Sequence, residues 1–165
     1  MTLAEDRGFN IYYQDTDSMH IETDKIDILA SEFKKIYGRD LIGKQMGQFH
    51  TDFDLGKCKN IIADESLFLG KKCYIDSLLG DDTVRCYHIR MKGISERALK
   101  WTACNNFNGD VMELYRHLFD GAEVEFDMTC GGLAANFEFT AGMEIKTRSN
   151  FSRNVKFSTG YDSPI

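Results

Sequence analysis

Proline is almost absent from this chain of 165 residues; the one proline is Pro164, beside the C-terminus. Helices and strands can run without the interruptions that a fixed φ and a missing N–H impose. No apolar run approaches the ~18 residues a membrane span requires. Met1 to Arg7 lacks the basic-then-apolar order of a signal peptide. No low-complexity stretch appears, so disorder is expected only in the last residues, Thr159 to Ile165. The five cysteines (Cys58, Cys73, Cys86, Cys104, Cys130) are odd in number and contain no Cys-x-x-Cys pair. They read as free thiols in a reducing compartment. His20, His50, His88 and His117 fall at no metal-ligand spacing, which argues against a zinc centre. Together these absences imply a soluble intracellular protein.

A hydrophobic content of 42% and an aromatic content of 12% suffice for a sizeable core. The net charge of −6 argues, taken whole, against a nucleic-acid partner. The charge is segregated, however. Met1 to Glu32 carries eight acids and two bases, Gly56 to Lys100 nine bases and six acids, and Ala141 to Lys156 four bases and one acid. One acidic end and two basic stretches suit different tasks, such as metal binding and backbone contact; they also suit an ordinary solvated surface.

The pattern predicts an α+β fold. A short helix is expected over Thr2 to Asp6, ended by Arg7-Gly8. Phe9 to Tyr13 and Ser18 to Glu22 flank a polar tip, as in a hairpin. Ile28, Leu29, Phe33, Ile36 and Tyr37 have helical spacing between Asp24, an N-cap candidate, and Gly38, a terminator. Strands are expected over Gly47 to Phe53, Lys59 to Leu69, Lys72 to Leu79 and Val84 to Lys92, with a turn at Gly80 to Asp82. Helices follow over Ser95 to Phe107 and Asp110 to Phe119, the second with Val111, Leu114, Tyr115, Leu118 and Phe119 on one face and Gly121 at its end. Val124 to Met128 alternates as a strand does, and strand signals continue through Asn136 to Lys146 and Asn154 to Phe157. A break is expected near Phe53 to Cys58.

Asp15 and Asp17 stand two apart at the hairpin tip. In extended backbone they would face one side, with Thr16 pointing away and packing beneath. Carboxylates so placed repel unless cations sit beside them. Mg²⁺ suits such a site, since it takes few carboxylates, keeps waters and bridges to phosphates. A pair of such ions ~3.5–4 Å apart can serve phosphoryl transfer. An Asp-x-Asp turn alone is more commonly just solvated, and an EF-hand loop is excluded because the run lacks its glycine.

The string Ile11-Tyr-Tyr-Gln-Asp-Thr-Asp-Ser-Met-His-Ile21 resembles the Tyr-x-Asp-Thr-Asp-Ser signature of family B DNA polymerases, which lies on a hairpin of the palm; Tyr13, Thr16 and Ser18 are its supporting positions. It departs from the adjacent aspartates of reverse transcriptases. Phe68-Leu-Gly-Lys-Lys-Cys-Tyr-Ile75 resembles the same family's Lys-x-Tyr motif. By that resemblance Lys72 and Tyr74 contact the primer near its growing end. Strand alternation would set both on one face, ammonium to phosphate and ring to sugar or base. Similarity continues through His88 to Ile94, Gly121 to Asp127 and Phe151 to Phe157, in the manner of the viral and organellar, protein-primed branch. Arg90 and Lys92 are then expected to contact the duplex backbone from one strand, and Arg148, Arg153 and Lys156 from a thumb surface; all five equally fit solvated surface charge.

The resemblance divides the chain into 1–55, palm with the aspartate hairpin; 56–100, palm strands with Lys-x-Tyr; and 101–165, a thumb-like subdomain. It implies a DNA-directed DNA polymerase using two Mg²⁺ ions, primer–template DNA and deoxynucleotides. Relatives carry a further metal-binding aspartate, a nucleotide-gripping helix and a proofreading domain upstream of the hairpin. The chain is therefore expected to be a segment of a longer enzyme, inactive by itself, with Met1 internal or the start of a truncated or split gene. Two other readings are a DNA-binding or interaction module that has lost catalysis, and a cation-binding structural domain unrelated to DNA.

Overall fold

The computed structural model describes residues 1–53, 61–81, 85–132, 134–139, 145–150 and 154–157; from residue 133 onward only the backbone and the Lys156 side chain are described. Helices and antiparallel sheets occur together, as an α+β fold requires. The chain forms two compact units, one of Met1–Asp64 with Leu78–Cys86, the other of Glu65–Ser77 with Tyr87–Ile165.

The first unit begins with helix α1 (Thr2–Asp6), then strands β1 (Ile11–Asp15) and β2 (Ser18–Ile21). A 3₁₀ turn, Thr23–Lys25, leads into helix α2 (Ile26–Tyr37). Gly38 ends α2 at φ +68, its N–H donating to the Lys34 carbonyl, the conformation for which glycine is favoured. Asp24 does not cap α2. It lies inside the 3₁₀ turn and pairs with Lys25 at 2.8 Å. The core is small: Ala4, Leu29 and Leu41 are buried, with Ile11, Met19, Ile21, Phe33 and Phe49 among the side chains packed on them. So small a core covers a narrower face of α2 than the apolar spacing offers, and Ile28, Ile36 and Tyr37 stay exposed. The expected strand over Gly47 to Phe53 reduces to one bridge, Ile42 to Phe49. Side-chain bonds hold that segment as a loop, because the Gln48 oxygen accepts from the Gln45 N–H and its amide donates to the Asp40 carbonyl.

Strands β3 (Ile62–Gly70), β4 (Cys73–Leu79) and β5 (Arg85–Met91) form a sheet in that order. Helices α3 (Glu96–Asn106) and α4 (Val111–Phe119) follow, each capped by a side chain: Ser95 Oγ accepts from the Ala98 N–H, and Asp110 Oδ1 from the Glu113 N–H. In the second unit Leu69, Cys73, Ile75, Ile89 and Met91 of the sheet pack with Leu99 of α3 and Leu114, Tyr115 and Leu118 of α4. Phe119, expected on the buried face of α4, is exposed. Strand β6 (Val124–Asp127) adds Val124 and Phe126 to this core and pairs antiparallel with β9 (Asn154–Phe157). Strands β7 (Ala134–Phe139) and β8 (Ile145–Asn150) pair with each other, so the signal over Asn136 to Lys146 divides between two strands.

Among the described residues no helix is long and apolar enough to cross a membrane. Cys73, Cys86, Cys104 and Cys130 are free thiols.

Candidate functional site

Strands β1 and β2 are joined by two residues, Thr16 and Asp17, with Asp15 opposite Ser18. The pairing slips between Ile11, opposite Ile21, and Tyr13, opposite His20. This bulge reverses the facing of the strand. Ile11 shares the core face with Met19 and Ile21. Beyond the bulge Tyr13 and Asp15 fall on the other face, with His20 and Ser18 opposite them. The Tyr13 and His20 rings meet edge to face at 5.6 Å, and the Ser18 hydroxyl donates to the Asp15 carbonyl at 3.1 Å. The bulge is what frees Asp15 from the apolar side.

The tip is not extended, so strand alternation does not govern its two aspartates. Thr16 holds φ at +55, an outlier for a β-branched residue. Nor does Thr16 pack beneath the carboxylates: it is exposed, and its hydroxyl donates to Asp15 Oδ1 at 3.3 Å. Asp15 is half-buried and Asp17 exposed. Two carboxyl groups at a short turn offer hard oxygen donors of the kind Mg²⁺ takes. Among the described residues no cluster of three or more His, Cys, Asp or Glu is placed to hold a metal.

The Lys-x-Tyr segment also falls at a two-residue tip. Lys71 and Lys72 join β3 to β4, and Lys72 takes φ +59. Lys72 is therefore a turn residue outside the strand, and it does not alternate with Tyr74. Both lysines are exposed, whereas Tyr74 is 8% exposed, its ring 5.9 Å from Phe68 and 5.7 Å from His88. Lys92 likewise lies in the turn after β5, not on a strand with Arg90. Its N–H donates to the Lys72 carbonyl at 2.9 Å. This backbone bond ties two turns together and sets Lys71, Lys72 and Lys92 at one end of the sheet. Arg90 is exposed on β5, where its carbonyl accepts from the Tyr115 hydroxyl at 2.8 Å. Burial pushes the Tyr115 hydroxyl up, which keeps it a donor. A concentration of fixed positive charge like this one suits phosphate.

The remaining expected contacts are scattered. Arg148 stands opposite Asn136 in the β7–β8 pair, and Arg153 lies outside the described residues. Lys156 is bound to Glu123 at 2.8 Å, and this pairing holds its ammonium above the usual lysine range. The aspartate tip belongs to the first unit and the lysine tip to the second. Sequence reasoning passed over Lys71 and His20. The doubled lysine before Cys73 and the histidine inside the first motif were the available signals. No protein-family model, curated protein or solved structure matches the chain.

Proposed function

We propose that this chain is the C-terminal palm and thumb segment of a DNA-directed DNA polymerase of the family B kind. In this reading it supplies two metal-binding aspartates and contacts to primer and duplex. One observation carries it. The string Tyr13-Gln-Asp-Thr-Asp-Ser18 occupies a bulged hairpin whose two-residue tip holds Thr16 at positive φ between the carboxylates. Backbone strain of this kind costs of order 1–3 kcal/mol and persists where a site demands it.

Asp15 and Asp17 would hold Mg²⁺. When bound, that ion supplies positive charge for phosphoryl transfer. Asp17, at the exposed tip, would hold the ion, and through it the triphosphate, while Asp15 is oriented by the Thr16 hydroxyl. The lysine tip would bind backbone phosphates through Lys71, Lys72 and Lys92, with Arg90 beside them, and Tyr74 would steady the primer end. In the intact polymerase Asp17→Asn should lower primer extension by about 10²–10³-fold. Extension left intact would sink the assignment.

The tied lysine turns also favour a second reading, a duplex-binding module without catalysis. The DNA directly upstream of the Met1 codon separates the two. An open frame encoding a further palm aspartate and a Lys-Tyr helix supports the polymerase. A stop codon there, with no partner polypeptide in the genome, supports the module.

A further inference from the structure

Asp76 is fully buried at the centre of the β3–β4–β5 sheet, where an uncompensated carboxylate would be costly. Both its oxygens are engaged. The Ser66 hydroxyl of β3 donates to Oδ1 at 2.7 Å, and His88 Nδ1 of β5 stands 3.0 Å from Oδ2. His88 is itself nearly covered, its side chain 12% exposed. The same imidazole packs 5.7 Å from the Tyr74 ring, whose other neighbour is Phe68 at 5.9 Å. Phe68, Tyr74 and His88 thus form an aromatic layer across all three strands, and His88 alone belongs to both the layer and the polar group.

The cluster is not arranged for nucleophilic catalysis, because Ser66 bonds to the carboxylate and not to the imidazole. Its geometry is that of a holder. A carboxylate that accepts from Nδ1–H fixes both the tautomer and the plane of the ring. A fixed imidazole plane in turn limits where the Tyr74 ring can lie. We propose that Asp76 and His88, anchored by Ser66, are positioning residues that hold the Tyr74 ring in its place behind the lysine tip. The role of that ring at the primer end rests on the polymerase reading above; the holding itself does not.

The test uses the 165-residue chain, with the Tyr74 ring resonances followed by NMR and affinity measured for a labelled primer–template duplex. Asp76→Leu should move the Tyr74 resonances, and Asp76→Asn, which keeps an oxygen for the imidazole N–H, should restore them. Duplex affinity should fall about tenfold in Asp76→Leu, recover in Asp76→Asn, and fall no further when Asp76→Leu is added to Tyr74→Ala. An unchanged Trp101 emission spectrum reports that the fold is kept. Should Asp76→Leu not fold, His88→Gln carries the same comparisons. Tyr74 resonances that ignore every variant, or affinity losses that add to that of Tyr74→Ala, overturn the positioning role. If the unsubstituted chain binds no duplex while its Tyr74 resonances still follow Asp76, the primer contact falls and the holder stands.

Discussion

Asp127 shows how one side chain can close a turn. Its Oδ1 accepts from the Thr129 hydroxyl at 2.6 Å and from the Thr129 N–H at 2.8 Å, and its Oδ2 from the Gly131 N–H at 2.6 Å. These bonds, the Thr129 hydroxyl foremost, hold the carboxyl below its ordinary range. The folded value lies below the unfolded one, near about 3.9. The stabilisation is therefore complete above that pH and is lost as pH falls through the folded value. Asp127→Ala should unfold at lower urea than the parent at neutral pH, and the gap should be smaller in acid, as pH falls through the folded value, than at neutral pH. An equal gap at both would show that the ionised form is not what closes the turn. Within the same turn Gly131 holds φ +76, and a Cβ there would stand 2.7 Å from Trp101 Cζ2. Gly131→Ala should cost at least about 1–2 kcal/mol from backbone handedness alone. The emission of Trp101, the chain's single tryptophan, reads the loss directly.

At the scale of elements, the two hairpin tips repay comparison. Each joins its strands with two residues, and each holds one non-glycine at positive φ, Thr16 in one and Lys72 in the other. Tips of this length ordinarily use Gly, Asn or Asp at such positions. A threonine there carries a backbone strain that Gly, Asn or Asp would lessen. Thr16→Asn, which tolerates the left-handed region, should raise stability by up to about 1 kcal/mol in denaturant titration. On the polymerase reading proposed above, it should also weaken primer extension by the full-length enzyme, because the Thr16 hydroxyl no longer orients Asp15. A variant both more stable and fully active would remove the functional reason for the strain. The same tips explain an error of inference: alternation along a strand cannot be carried through a residue at positive φ.

Over the whole molecule, charge is organised by turns more than by strands. Lys71, Lys72 and Lys92 come from two turns tied by one backbone bond. On the reading proposed above, this end of the sheet is where backbone phosphates would bind. Salt dependence measures this. Replacing Lys71, Lys72 and Lys92 by Gln should lower the slope of log affinity against log salt by up to about three, one for each phosphate no longer neutralised. Lys156→Gln should leave the slope nearly unchanged. The reverse ordering would overturn the assignment of duplex contact to the lysine tip.

Most helices and strands were legible in the sequence because their signals are local. Apolar period and Gly38 as terminator act within one turn of chain, and these helices formed where expected, though Asp24 does not cap α2. Gly47 to Phe53 failed because a strand needs a partner, and its sequence cannot say that Gln48 will close a loop instead. Asp15, Asp17, Lys72 and Tyr74 were legible as residues of interest, for their motifs are contiguous strings. Their surroundings were not. The bulge at Tyr12 that turns Asp15 off the core face, the bond that brings Lys92 to Lys72, and the burial of Asp76 between Ser66 and His88 all join residues remote in sequence. Local chemistry along the chain set which side chains are available and which elements carry them. Tertiary structure alone decided their neighbours, because pairing register and burial are set by contacts between segments.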